Sequence, residues 1–401
     1  MIKRDEYLEI LKRFKDKDLI KVVTGIRRCG KSTLFALYIE YLKQYKIKSS
    51  QIININLENP EYQFENYMAL YNFVNNKIKD DEKYYVFLDE VQNVPEFQKA
   101  VDGLYIKKNI DLYITGSNAY LLSGELATLL SGRYIEIKML PLSFKEYVSV
   151  FKDKSDGKDR LFLEYMKNGG MPGNISILEN NPNDIDRYLD GIFSTVVYKD
   201  IMVRNNIKDK MLLESVIKFV YDNIGNSIST KKISDTLTSK GISTSNHTVE
   251  NYLTAFLESF LLYKAERFDV KRKNLLARDY KYYAVDTRLR SFLLGKKANS
   301  DMGHILENIV YLELLRRGYK VYVRKVDEYK IDFVAENRNG IEYYQVSLSV
   351  RDEKVLEREL RSLEKTGDHY PKYLLTLDID LETDYNGIKK INIVDWLLEN
   401  K

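Results

Sequence analysis

The sequence predicts an α/β protein, with a parallel-sheet core first, a helical module next and a second α/β domain last. Three observations predict it. A glycine-rich loop joins an apolar strand to a helix within residues 19–38. Two more apolar strands that end in polar residues follow, at 84–90 and 110–118. From about His304 the apolar pattern again alternates between helix and strand periods. Such alternation marks sheets covered by helices. A chain of 401 residues has room for two or three domains, and the pattern divides it at 1–160, 161–290 and 291–401.

The first element is Leu19-Ile20-Lys21-Val22-Val23-Thr24, a buried strand. Gly25-Ile26-Arg27-Arg28-Cys29-Gly30-Lys31-Ser32 follows, an unbroken G-x-x-x-x-G-K-[ST] phosphate-binding loop. Thr33 opens the helix that leads out, and its positive N-terminus faces the same anion. Gly25 permits the sharp turn. Gly30 lets backbone N–H groups close on phosphate oxygens. Lys31 is placed to reach the β- and γ-phosphates of ATP, and Ser32 to ligate Mg²⁺.

The next strand is Gln51-Ile52-Ile53-Asn54-Ile55-Asn56-Leu57. After it, Tyr84-Tyr85-Val86-Phe87-Leu88-Asp89-Glu90 is an apolar strand ending in two acids. Downstream of a phosphate loop, Asp89 is placed to hold the Mg²⁺ shell and Glu90 to polarise an attacking water. Ile110-Asp111-Leu112-Tyr113-Ile114-Thr115 ends in Gly116-Ser117-Asn118. Ser117 or Asn118 is a candidate γ-phosphate sensor; the alternative is an ordinary strand-to-helix turn, since both residue types cap helices. Arg133 is a candidate arginine finger, in cis or across a subunit interface; the alternative is a surface loop arginine.

Several of these segments resemble one family. They are Thr24-Gly25-Ile26-Arg27-Arg28, Phe87-Leu88-Asp89-Glu90-Val91-Gln92, Ile114-Thr115-Gly116-Ser117-Asn118, and the stretch from Ser131-Gly132-Arg133-Tyr134 to Glu146-Tyr147. The family is the prokaryotic AAA-type P-loop ATPases that carry a C-terminal domain of uncharacterised function. The resemblance covers nearly the whole chain and implies an ATP-binding core. It implies little about the process served. Cys29 stands where relatives often have Ser; the position offers mainly its backbone N–H, so little change in nucleotide binding is expected, while a thiol beside the phosphates could make the site sensitive to oxidation or alkylation.

Composition sets limits. Apolar residues make up 44% of the chain, enough for real cores, and 6 Pro with no low-complexity tract argue against long linkers. One Cys excludes a disulfide framework and suits a reducing cytoplasm. The polar opening at residues 1–6 does not resemble a signal peptide, and no run of 18 apolar residues predicts a membrane span. A net charge of +4 neither demands nor excludes nucleic acid. Three His and one Cys are scattered, so no metal cluster is expected from them.

The middle of the chain reads as a winged helix-turn-helix. A helix at 211–220 precedes one that begins near Ser229 and ends at Gly241. A third starts near Ser245, with Val249, Tyr252, Leu253, Phe256, Leu257 and Phe260 on one apolar face. Its early exposed residues are His247, Thr248, Glu250, Asn251 and Thr254. Strands at 261–265 and 280–284 flank Lys271-Arg272-Lys273, the tip of a candidate wing. Such a module places its last helix in the major groove of double-stranded DNA. Such modules also serve as protein-docking surfaces, and Glu250 on the candidate reading helix argues against tight DNA contact.

The C-terminal domain resembles the restriction-endonuclease-like fold. That resemblance implies an acid on a helix, an Asp on a strand, then acid-x-Lys on the next strand. Glu307 and Asp332 match; Gln345 stands in place of the second acid and Ser347 in place of the lysine. Gln ligates a cation weakly, and Ser cannot replace an ammonium. The expectation is a domain that has lost cleavage. Three functions follow: a DNA-associated ATPase, a nucleotide-dependent switch that binds a protein, and an ATP-dependent nuclease. A homo-oligomer is compatible with each.

Overall fold

The computed structural model describes residues 2–122, 130–151, 157–268, 280–295, 301–326, 329–380 and 383–399. The chain forms two compact units, residues 1–141 with 258–260, and 142–257 with 261–401.

The first unit is built on β1 (Ile20–Thr24), β2 (Ile52–Asn56), β3 (Tyr84–Asp89), β4 (Ile110–Gly116) and β5 (Tyr134–Lys138). Their order is β2-β3-β4-β1-β5, and every pairing is parallel. Every residue of β1, β3 and β4 is buried. Helices cover both faces of such a sheet, which is why these strands read as unbroken apolar runs. β4 lies between β1 and β3, so the turn after β4 falls between the phosphate loop and the acidic end of β3. A buried ion pair, Lys21 with Asp111, links β1 to β4; Tyr113 also donates to Asp111 at 2.7 Å.

Among the described residues the second unit carries nine strands in one sheet. They are β6 (Ser227–Ile228), β7 (Leu262–Arg267), β8 (Tyr280–Ala284), β9 (Lys320–Val326), β10 (Tyr329–Asn337), β11 (Gly340–Val346), β12 (Lys372–Thr376), β13 (Thr383–Tyr385) and β14 (Ile388–Asn392). Their order is β13-β14-β12-β11-β10-β9-β7-β8-β6. β6, β8 and β7 form an antiparallel set beside the helices Lys210–Asp222, Thr230–Ser239 and Asn246–Glu258. The parallel contact of β7 with β9 joins that set to the strands of the C-terminal segment. Val249, Tyr252, Leu253 and Phe256 are buried as expected. Phe260 is not on that helix: the helix ends at Glu258, and Phe260 lies beyond it at φ 59°. Lys271, Arg272 and Lys273 lie outside the described residues. Among the described residues no helix is long and apolar enough to cross a membrane.

Candidate functional site

The phosphate loop leaves β1 through Gly25, at φ +153°. A methyl group there would sit 2.2 Å from the Met139 carbonyl oxygen, so no larger residue fits. Arg28 also takes a positive φ of 66°, and Gly30, at φ 107°, caps the helix Lys31–Gln44. Arg4 braces the loop from outside. Its buried guanidinium donates to the Cys29 carbonyl at 2.8 Å and to the Leu140 carbonyl at 2.7 Å. Ile26 is fully buried, and Arg27 pairs with Glu58 at 2.6 Å. Thr33 follows in the first turn of the helix.

The Lys31 ammonium is buried. It donates to the Gly25 carbonyl at 3.0 Å and pairs with Glu90 Oε1 at 3.2 Å. Burial pulls its pKa down, but Glu90 and its other neighbours outweigh that and leave it above the ordinary lysine value. Glu90 is held below the ordinary carboxylate range: burial pushes it up, and Lys31, then Gln92, push it further down. Asp89 accepts hydrogen bonds from Ser32 and Thr115, yet burial raises its pKa. Thr115 Oγ1 also accepts the Glu90 N–H at 2.8 Å. That bond helps hold Glu90 at φ 56°, a left-handed conformation seldom taken by non-glycine residues. The Gln92 amide donates to the Glu90 carboxylate and to Ser117 Oγ, the latter at 3.3 Å.

Lys31, Ser32, Asp89 and Glu90 are therefore brought into one cluster at the C-terminal edge of the sheet. Ser117 joins it through Gln92, and Asn118 is buried next in the chain. Arg133 does not join it. Its carbonyl accepts the N–H of Ile20, at the opposite end of β1 from the loop, and its side chain pairs with Asp102 at 2.7 Å. A five-residue strand spans roughly 16 Å, which removes the cis arginine-finger role. Cys29 is also corrected: it is fully buried, and burial pushes its thiol up, so the folded protein shields it.

Sequence reasoning missed Arg4, Thr115 and Gln92. Arg4 stands far from the loop in sequence and shows no motif. Thr115 and Gln92 lay inside recognised segments, and only the sheet order shows that they meet.

The second set of residues also comes together, though not as a metal cage. Glu307 lies on the helix Met302–Arg316 and Asp332 on β10. Between them stands Lys281 of β8, 2.9 Å from Glu307 Oε1 and 3.5 Å from Asp332 Oδ1. Tyr283 donates to Glu307 at 2.7 Å, and the Val346 N–H donates to Asp332 at 3.1 Å. Burial and Glu307 push Asp332 up to about 7, against Lys281 and the Val346 N–H. Gln345 is not free for a cation. Its Oε1 accepts the Asp332 N–H at 3.2 Å and its Nε2 donates to Glu359 at 2.7 Å. Ser347 Oγ donates to the Ser349 carbonyl at 3.1 Å. Among the described residues no group of three or more His, Cys, Asp or Glu is placed to hold a metal.

Fold and loop together define an AAA-type P-loop protein. A family model described as an AAA domain matches residues 17–148, and one described as a domain of unknown function (DUF8612) matches residues 159–300. The chain is 43% identical over 403 residues to an uncharacterized protein of Haemophilus influenzae, covering 100% of this chain and 99% of that one. It is 30% identical over 398 residues to uncharacterized protein MJ1544 of Methanocaldococcus jannaschii, covering 94% and 85%. The Walker-type ATPase PABY2304 of Pyrococcus abyssi shares the fold, with a TM-score of 0.51 at 14% identity over 73% of this chain and 96% of that one. The chain belongs to the AAA-domain protein family that includes the Haemophilus influenzae and Methanocaldococcus jannaschii proteins.

Proposed function

We propose that the protein binds ATP with Mg²⁺ and hydrolyses it. We further propose that its later domains, a winged helix and a cleavage-deficient nuclease-like domain, couple this to double-stranded DNA. The domain division 1–160, 161–290 and 291–401 and a cytoplasmic location belong to the same reading. One observation supports it most: Lys31, Ser32, Asp89 and Glu90 meet at the C-terminal edge of a parallel sheet.

The donor set suits a nucleoside triphosphate. Lys31 already carries its proton and, among the described residues, has Glu90 and the Gly25 and Ile26 carbonyls to leave. Ser32 and Asp89 would hold Mg²⁺, which supplies charge neutralisation for the phosphates. Glu90, ionised at neutral pH, is the group that orients water. Arg133 serves only across a homo-oligomer interface in this reading. Ser117 or Asn118 serves as the sensor.

His247, Asn251 and Thr254 on the third helix and Lys231 and Lys232 on the second are exposed, which supports a DNA-facing surface. Glu250, exposed among them, favours a second reading, a nucleotide-dependent protein-docking switch. An ATP-dependent nuclease is disfavoured because Ser347 has no ammonium and Gln345 is engaged.

The test is the steady-state ATPase rate with and without single- and double-stranded DNA, at low and moderate salt, beside Lys31→Ala. The expected result is a rate that DNA raises, that salt lowers and that Lys31→Ala abolishes. A rate indifferent to DNA would shift the reading to the protein switch.

A further inference from the structure

Lys281 has no part in either motif, yet it is buried at the centre of the second set of residues. It comes from β8, on the far side of β9 and β7 from β10. Its side chain is 9% exposed, and those of Glu307 and Asp332 are 11% and 15% exposed. A carboxylate pair removed from water must be met by a cation, or one member must take up a proton. In a nuclease-like site that cation is a divalent metal. Here an ammonium already stands between the two acids; Tyr283 donates to the same Glu307 oxygen as the lysine, and the Val346 N–H takes the other oxygen of Asp332.

The surroundings fix the lysine in place. Asn308, the residue after Glu307, accepts the Ala284 N–H at 2.7 Å and donates to the Ala284 carbonyl at 2.9 Å. Tyr283 stacks on Tyr311 with ring centroids 4.1 Å apart. Strand β8 is thus clamped to the helix Met302–Arg316 two and three residues beyond Lys281. The third acid nearby, Glu359, is already met by Arg358 at 2.6 Å and by Gln345. Each charge in the cluster has an internal partner.

We infer that Lys281 is a built-in counter-cation that occupies the divalent-metal position between Glu307 and Asp332, closing the site to metal and fastening β8 to the C-terminal segment. This rests on reading residues 291–401 as a nuclease-like domain, because that reading is what makes a metal position of the two acids. An ammonium supplies one charge and directional donors. A divalent cation needs more oxygen ligands and both carboxylates ionised.

The test is Mn²⁺ binding to the full chain without nucleotide, counted by electron paramagnetic resonance. Wild type, Asp332→Asn, Lys281→Met and Lys281→Met/Asp332→Asn are compared, with folding checked by circular dichroism. Wild type and Asp332→Asn should bind Mn²⁺ alike. Lys281→Met should gain a site at least tenfold tighter, lost again in the double variant. A wild-type site that Asp332→Asn removes would overturn the lysine's role and leave the nuclease-like metal site standing. A folded Lys281→Met with no new site would overturn the inference and count against the nuclease-like reading as well. If Lys281→Met does not fold, the wild-type and Asp332→Asn comparison still decides whether the position is closed.

Discussion

Glu90 is the residue on which the phosphate site turns. Its backbone sits at φ 56°, its N–H is tied to Thr115, and its carboxylate is shared between Lys31 and Gln92. In this arrangement Lys31 and Glu90 satisfy each other, so a triphosphate bound as proposed would have to draw the lysine away. Glu90→Gln removes the charge that holds Lys31 but keeps the side chain's shape. Turnover should fall by about 10²–10⁴-fold, the usual worth of a positioned base, while nucleotide affinity stays equal or tightens. Fluorescent-nucleotide titration beside single-turnover hydrolysis checks both. Unchanged turnover would remove Glu90 from its role. The motif residues were legible because backbone chemistry demands their order: a turn glycine, a cradle glycine, then Lys and Ser. Arg4 and Lys281 were not legible, because each acts on residues far away in the chain and no local spacing records it; Gln92 was not, because its link from Glu90 to Ser117 spans two strands.

Among elements, the turn at residues 169–171 and the helix Thr287–Leu294 share one side chain. Asp286 accepts the Gly170 N–H at 2.6 Å and caps the helix through the Leu289 N–H at 2.9 Å. A methyl on Gly169, at φ +69°, would fall 2.4 Å from the same carboxylate. Asp286→Ala loses a cap and leaves a buried N–H unmet. It should lower stability by about 2–4 kcal/mol, read by chemical denaturation, and a change within measurement error would show the turn to be held otherwise. No local spacing in the sequence ties Asp286 to this turn, 116 residues earlier in the chain. Long elements read well: β1, β3 and β4 are buried throughout and therefore uniformly apolar. β6 and β13 were missed because two or three residues cannot show a period. The pairing of β7 with β9 was missed because its register falls on Glu266 and Arg267, which carry no apolar signal.

For the whole molecule, the pH dependence of stability should carry the mark of Asp332. Lys281 faces it from β8, Glu307 from the helix Met302–Arg316 and Glu359 from the helix Glu353–Glu364. Its folded pKa of about 7 lies above the usual aspartate value near 3.9. The folded chain therefore holds an extra proton between those values. That contribution is complete below pH ~4 and is lost as pH rises through about 7. Relative to Asp332→Asn, wild type should lose stability across this window and level off above it. Thermal unfolding of the pair from pH 4 to 8 reads the difference; a flat difference would mean that Asp332 titrates normally. The nine-stranded sheet has one more consequence. Among the described residues its two outermost strands are its shortest, Ser227–Ile228 at one rim and Thr383–Tyr385 at the other. A rim that short presents too few unpaired amides to template a neighbour. Copies of this chain that meet through the second unit should therefore do so by side chains and helices, leaving the sheet as a finite object rather than the start of a filament.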